Sequence, residues 1–160
     1  MALRADRSIG DQGEQQAVAL LVERGYLAEL FGNRNNPIYD IQVGGRGPFR
    51  ISVKTSRTKQ QVCLGKLNSV KQLAHGDFVF AFMPAIGTSQ IDFDAGSFRL
   101  LIIPAEQARE DTLELLNSYC QRKGFDAETF SSYLLVKKKH DVWDRWSEFE
   151  NAWQFLPEFK

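Results

Sequence analysis

A single α/β domain, built on a mixed β-sheet flanked by helices, is the fold class this sequence predicts, and three patterns predict it. Apolar residues recur at helical spacing near the N-terminus, at Ile9, Ala17, Leu20 and Leu21. Two segments, Ile38 to Val43 and Phe49 to Thr55, then alternate with the period of a strand about a glycine- and proline-rich turn. Further on, Asp77 to Met83 and Phe98 to Ile103 are continuous apolar runs of the length of buried strands. A chain of 160 residues is enough for one core, and no Gly/Ser or Pro tract marks a linker, so residues 1–160 read as one domain.

The elements follow in order. Ser8 to about Arg24 reads as an amphipathic helix, with Val18 and Val22 beside the apolar stripe and Gly25 as its stop. Tyr26 to Phe31 is a candidate strand, separated from Ile38 to Val43 by the polar turn from Gly32 to Pro37. Gly44 to Pro48 is a turn that joins Ile38–Val43 to Phe49–Thr55 as a hairpin. Gln61 to Leu64 is a short strand, Asn68 to Ala74 a short helix, and the loop from Pro84 to Gly96 an exposed one. Pro104 suits the first turn of a helix from about Ala105 to Tyr119. Tyr133 to Val136 reads as a last strand. From Asp141, the recurrence of Val142, Trp146, Phe149, Trp153 and Leu156 predicts a C-terminal helix over about 141–156 whose apolar stripe packs on the core.

Composition excludes several classes. At 43% hydrophobic and 25% charged residues the chain is of ordinary globular make-up, which argues against disorder. Met1 to Gly10 carries Arg4, Asp6 and Arg7 in place of a signal peptide's apolar run, and no apolar stretch reaches the roughly 20 residues that span a bilayer. The expectation is a cytoplasmic protein with no membrane partner. Cys63 and Cys120 stand alone, as do His75 and His140, so neither a zinc cluster nor a disulfide framework is expected.

The net charge is zero, but the charges are not mixed evenly. No acid lies between Asp40 and Asp77, an interval that holds Arg46, Arg50, Lys54, Arg57, Lys59, Lys66 and Lys71. A second basic run, Lys137 to His140, precedes an acidic stretch with Asp141, Asp144, Glu148 and Glu150. Local positive potential of this kind suits a phosphate backbone, and it equally suits a solvated loop face.

The hairpin concentrates the chemistry. Alternation sends Ile51 and Val53 to one face of its second strand and Ser52 and Lys54 to the other, within reach of Asp40 on the first strand. With Gly13-Glu14 on the first helix, Tyr39-Asp40-Ile41 on one strand and Ser52-Val53-Lys54-Thr55 on the next, the layout resembles the PD-(D/E)XK nuclease superfamily. More narrowly, it resembles the branch that includes the archaeal Holliday-junction resolvases and their bacterial relatives, and the resemblance covers roughly the first third of the chain, a motif core over about 8–56. It implies a restriction endonuclease-like fold and a Mg2+- or Mn2+-dependent endonuclease acting on DNA, branched or duplex. It further implies that Asp40 is the principal metal ligand, Glu14 a second acid on the metal, and Lys54 the group that orients or activates water. Arg46, Arg50, Arg57 and Lys59 would contact the nucleic acid. A symmetric homodimer is an assembly that the resemblance and the apolar last helix imply.

Ser52 departs from the pattern, standing where the family has Glu or Gln, and Pro37 lies three residues before Asp40. A hydroxyl is a weaker ligand for a hard cation than a carboxylate. A second reading is therefore a catalytically degenerate nuclease-fold protein that binds a protein partner in a regulatory or immunity role. A third is an unrelated α/β domain, in which Asp40 and Lys54 lie apart or simply form a salt bridge across the hairpin, and in which Glu14 is a solvated acid favoured by the helix dipole.

Overall fold

Ser8 opens the first helix by accepting a hydrogen bond from the Asp11 amide on its Oγ, at 3.1 Å, and thereby satisfies one of the free donors of the first turn. The computed structural model describes residues 8–31, 39–45 and 47–157. Helix α1 spans Ile9–Glu23, and the side it buries is the line Gly13, Ala17 and Leu21, at successive i, i+4 steps. Val22, expected beside the apolar stripe, is 54% exposed. The helix stops where the sequence places its glycine. Gly25 has φ 94°, its amide donates to Val22 O, and the Tyr26 amide donates to Leu21 O, the paired bonds of a left-handed helix end.

Strands β1 (Ala28–Leu30), β2 (Ile41–Val43), β3 (Phe49–Thr55), β5 (Phe78–Met83) and β6 (Arg99–Pro104) form one mixed sheet in the order β1-β2-β3-β5-β6. All neighbours are antiparallel except β3 and β5, which run parallel. That parallel step needs a crossover, supplied by β4 (Gln61–Gly65), helix α2 (Leu67–Gln72) and the 3-10 turn Leu73–His75. Strand β4 does not join the main sheet. It pairs antiparallel with β7 (Leu134–Lys137) in a separate two-stranded ribbon. Between β6 and β7 lies helix α3, Ala105–Lys123, a turn longer than the apolar pattern predicts, and α4 (Asp141–Trp146) follows. Among the described residues, no helix is long and apolar enough to cross a membrane.

The two faces of the sheet are packed differently. On one lie Phe49, Ile51, Phe80 and Phe82, covered by α1 and by the chain's last segment. Tyr26 meets Phe49, and Trp153 meets Phe80, each edge-on with ring centroids 5.7 Å apart. Gly13 lets helix and sheet come close, since a Cβ there would collide with Thr55 Oγ1, a buried hydroxyl with no hydrogen-bond partner among the described residues. Gly13→Ala is therefore expected to overpack this contact and destabilise the protein by about 1–3 kcal/mol. Thermal unfolding would register a melting temperature several degrees lower, with recovery on adding Thr55→Ala. Equal melting of Gly13→Ala and the wild type would show that the helix shifts freely. The opposite face carries the segment from Leu73 to Gly76, against which α3 packs.

Two expectations are corrected. The C-terminal helix does not run over 141–156: α4 ends at Trp146, and the chain continues as 3-10 turns at Ser147–Phe149 and Trp153–Phe155. The cause is the open edge of β6, where Glu150 bridges Leu101 and the Asn151 amide donates to Leu100 O at 2.9 Å. Pairing with that edge needs φ 51° at Asn151, a left-handed conformation that asparagine tolerates better than most residues. Most of the apolar stripe is core all the same, with Val142, Trp146, Phe149 and Leu156 buried. The loop from Pro84 to Gly96 is likewise not wholly exposed. Ile91 and Phe93 are buried, Phe93 edge-on to Phe82 at 5.3 Å, because the Ile91 amide is tied back to Arg57 O.

Candidate active site

Asp40 sits one residue before β2, at the point where that strand parts from β3. Strand β2 pairs with β3 only as far as Ile41 opposite Ile51, while β3 continues to Thr55 with β5 alone beside it. The Val53 amide on the vacated side of β3 is donated to the carboxylate of Asp40, at 2.7 Å from Oδ2. Buried amides are rarely left unpaired, so this bond both completes the strand and fixes the acid. The Asp40 backbone is held as well, its amide on Ile51 O and its carbonyl receiving the Phe31 amide. Among the described residues, Oδ1 of Asp40 has no hydrogen bond, which leaves one carboxylate oxygen for a ligand.

Ser52 and Lys54 flank Val53 and alternate to the face opposite Thr55, as the sequence pattern requires. They are not equally accessible. Ser52 is 4% exposed, with its Oγ against Gly76, whereas Lys54 is half-buried and, among the described residues, forms no ion pair. A hairpin salt bridge between Asp40 and Lys54 is thus absent, and the two residues are not apart either, since Asp40 bonds the residue next to Lys54.

Glu14 lies on α1, next to the residue that packs against the end of β3. Gly13 places α1 on the face of the sheet to which Thr55 points, while Ser52 and Lys54 point to the opposite one. Glu14 follows Gly13 on that helix, half-buried and already engaged in an interaction. Among the described residues, no group of three or more His, Cys, Asp or Glu side chains is arranged to hold a metal ion.

The basic island is divided by the fold. Arg57 and Lys59 are exposed on the connection from β3 to β4. Arg50 lies over the ring of Tyr39 at 4.8 Å, with its backbone paired to Asp77 on both sides, the amide to Oδ2 and the carbonyl to the Asp77 amide. Lys66 and Lys71 turn elsewhere, to the Tyr133 ring and to Glu128. Arg46 and Pro37 lie outside the described residues. Tyr39 and Thr55, present in the motif without an assigned role, acquire one here, Tyr39 as the platform beneath Arg50 and Thr55 as the contact for α1. Gly76, which the sequence pattern did not single out, lies beside Ser52, and nothing in the local sequence marks it because its partner is distant in the chain.

No protein-family model and no curated protein sequence matches the chain. In fold it is similar to two solved nucleases. One is Hjc, a Holliday junction resolvase from the archaeal hyperthermophile Archaeoglobus fulgidus, at 16% identity over 82% of this chain and 86% of that one, with a TM-score of 0.46. The other is a bacterial homing endonuclease, I-Ssp6803I, at 13% identity over 91% of this chain and 88% of that one, with a TM-score of 0.49.

Proposed function

We propose that this protein is a divalent-metal-dependent nuclease that hydrolyses phosphodiester bonds in DNA. The observation that carries the reading is the Asp40 carboxylate, pinned by one oxygen to the Val53 amide between Ser52 and Lys54, with its second oxygen open. The donor set suits Mg2+ or Mn2+ that keeps several waters, with Asp40 as the fixed anionic ligand and Glu14, on the helix that packs against β3, as a second acid. When bound there, the ion would lower the pKa of a water and neutralise the charge that develops on the phosphoryl oxygens. Asp40 holds its oxygen in place without reorganisation, because the β3 backbone sets its orientation. Lys54 is half-buried without a counter-ion among the described residues, as suits a group that orients the attacking water or balances charge on the scissile phosphate. Arg57 and Lys59, exposed just beyond β3, would contact the flanking phosphates, and Arg50 presents a guanidinium stacked on Tyr39.

The test is cleavage of labelled linear, branched and single-stranded DNA, and of RNA, with Mg2+ or Mn2+, beside Lys54→Ala. Metal-dependent cutting by the wild type, lost in the variant, supports the reading. A folded wild type that cuts none of these with either metal would overturn it.

One observation favours a second reading, a nuclease-fold protein without catalysis that binds a partner. Ser52 is a small hydroxyl, 4% exposed beside Gly76, where the resemblance calls for an acid or amide. Ser52→Glu decides between them. Forcing a carboxylate into this position is expected to lower the melting temperature in chelator, since an unpaired buried charge costs several kcal/mol or must take up a proton. In a working cation site Mg2+ or Mn2+ then restores it, because a ligand of the folded state alone raises its stability. A variant that stays destabilised whatever the metal concentration supports the second reading.

A further inference from the structure

Helix α3, strand β7 and the chain on either side of β7 surround a cavity of about 400 Å³ that shares no residue with the Asp40 site. Its walls are aliphatic and aromatic, with Leu115, Tyr119, Phe130, Tyr133 and Leu135 among them. Tyr119 and Phe130 meet edge-on at 6.1 Å, while Tyr133 stays 63% exposed, with the Lys66 ammonium 5.5 Å from its ring centre. Arg122, Lys137, Lys139 and His140 supply the basic lining, and no carboxylate is among the residues that line the cavity. Helix geometry contributes Tyr119 and Arg122 from one side of α3, three residues apart. The hydrogen bond from the Lys137 amide to Nδ1 of His140, at 3.0 Å, orients the imidazole and leaves its proton on Nε2.

We propose that this cavity binds a nucleotide, with the base against the aromatic wall and the phosphate among Arg122, Lys137 and Lys139. The volume is in the range that takes a single small ligand, and an aromatic and aliphatic lining is joined by a few basic groups, as such sites require. An acidic peptide would use the cations and leave the rings idle. A nucleotide engages both, since any base stacks on an aromatic face and its phosphate answers the uncompensated positive charge. His140 bears on the same point. Burial, with the charges of Lys139, Lys137 and Arg122, holds its pKa below the ordinary histidine value, against a weaker opposite pull from Asp141. A phosphate placed among those cations would reverse their effect and raise it.

This inference does not depend on the hydrolytic reading and uses the full chain. Adenosine 5′-monophosphate, a 5′-phosphorylated single-stranded oligonucleotide, adenosine, inorganic phosphate and an oligoglutamate peptide would each be titrated calorimetrically, without divalent metal. The His140 imidazole would be followed by NMR across pH. Tyr133→Ala and Lys139→Glu serve as variants, both exposed positions whose replacement leaves the core intact. Binding of the monophosphate or of the oligonucleotide is expected, tighter than adenosine or phosphate alone and weakened at least about fivefold by each variant. A raised His140 pKa should accompany it. Binding of the monophosphate assigns the site to free nucleotides. Binding of the oligonucleotide alone assigns it to a nucleotide within a strand. The proposal is overturned if neither binds, if both variants bind as the wild type does, if phosphate binds as tightly as the monophosphate, or if oligoglutamate matches the nucleotide.

Discussion

Asp40→Ala is expected to abolish metal-dependent cleavage of DNA and to lower the melting temperature, while Asp40→Asn abolishes cleavage and melts close to the wild type. The two oxygens of this carboxylate have separate roles. Oδ2 accepts the Val53 amide at 2.7 Å, completing β3 where β2 no longer reaches it, and asparagine's amide oxygen can still do so. Alanine cannot, and a buried amide left without a partner costs about 1–3 kcal/mol. Oδ1 is the open position, and what a cation needs there is negative charge, which both substitutions remove. The loss in rate should be at least about 100-fold, since even the outer partners of metal ligands are worth 10- to 100-fold. Cleavage assays and thermal melts, each with and without Mg2+ or Mn2+, check both parts. In the melts, metal should stabilise the wild type and neither variant. Full cleavage and an undiminished metal shift in Asp40→Asn would show that Asp40 serves the strand alone.

Trp146→Ala should have the largest effect on stability of any single truncation proposed. Trp146 is 0% exposed, and its indole Nε1 donates to Asp111 Oδ2 on α3 at 2.8 Å, so it joins α4 to the long helix by packing and by a hydrogen bond. Removing the ring leaves a large cavity, at about 3–5 kcal/mol, and an acid without its donor. For a chain of this size each kcal/mol moves the midpoint by about 2–4 °C, so a fall of more than about 6 °C is expected. Trp146→Phe, which keeps most of the volume and loses the N–H, should fall between. If Trp146→Ala melts within about 2 °C of the wild type, the C-terminal segment is not part of the cooperative core.

What could be read along the chain is what depends on near neighbours. The end of α1 at Gly25, the alternation of β3 and the buried runs of β5 and β6 appear in the structure at or within a residue or two of the positions that periodicity predicts. Those features rest on a 3.6- or two-residue repeat and on glycine's freedom at positive φ, all of them local. The pairing of the hairpin was legible for the same reason, and with it the sharing of one face by Ser52 and Lys54 beside Asp40.

Where the reading failed, residues distant in sequence decided. The helical spacing from Val142 to Leu156 is real, yet the open edge of β6 captures Glu150 and Asn151 and breaks the helix after Trp146. The basic interval between Asp40 and Asp77 is continuous in sequence and divided in space, because Lys66 and Lys71 follow β4 out of the main sheet to Tyr133 and Glu128.

By itself, then, the sequence determined an α/β domain, the strand that presents Ser52 and Lys54, and an acid on the strand beside it. Only the tertiary structure decided how those groups meet. It tied one oxygen of Asp40 to Val53, buried Ser52 beside Gly76, and set α1 against the end of β3 through the Gly13–Thr55 contact. The physical reason is the range of the forces involved. Backbone preference and side-chain alternation act within a few residues, whereas burial and the pairing of amides left free at strand edges are settled between whichever segments the packed sheet makes neighbours.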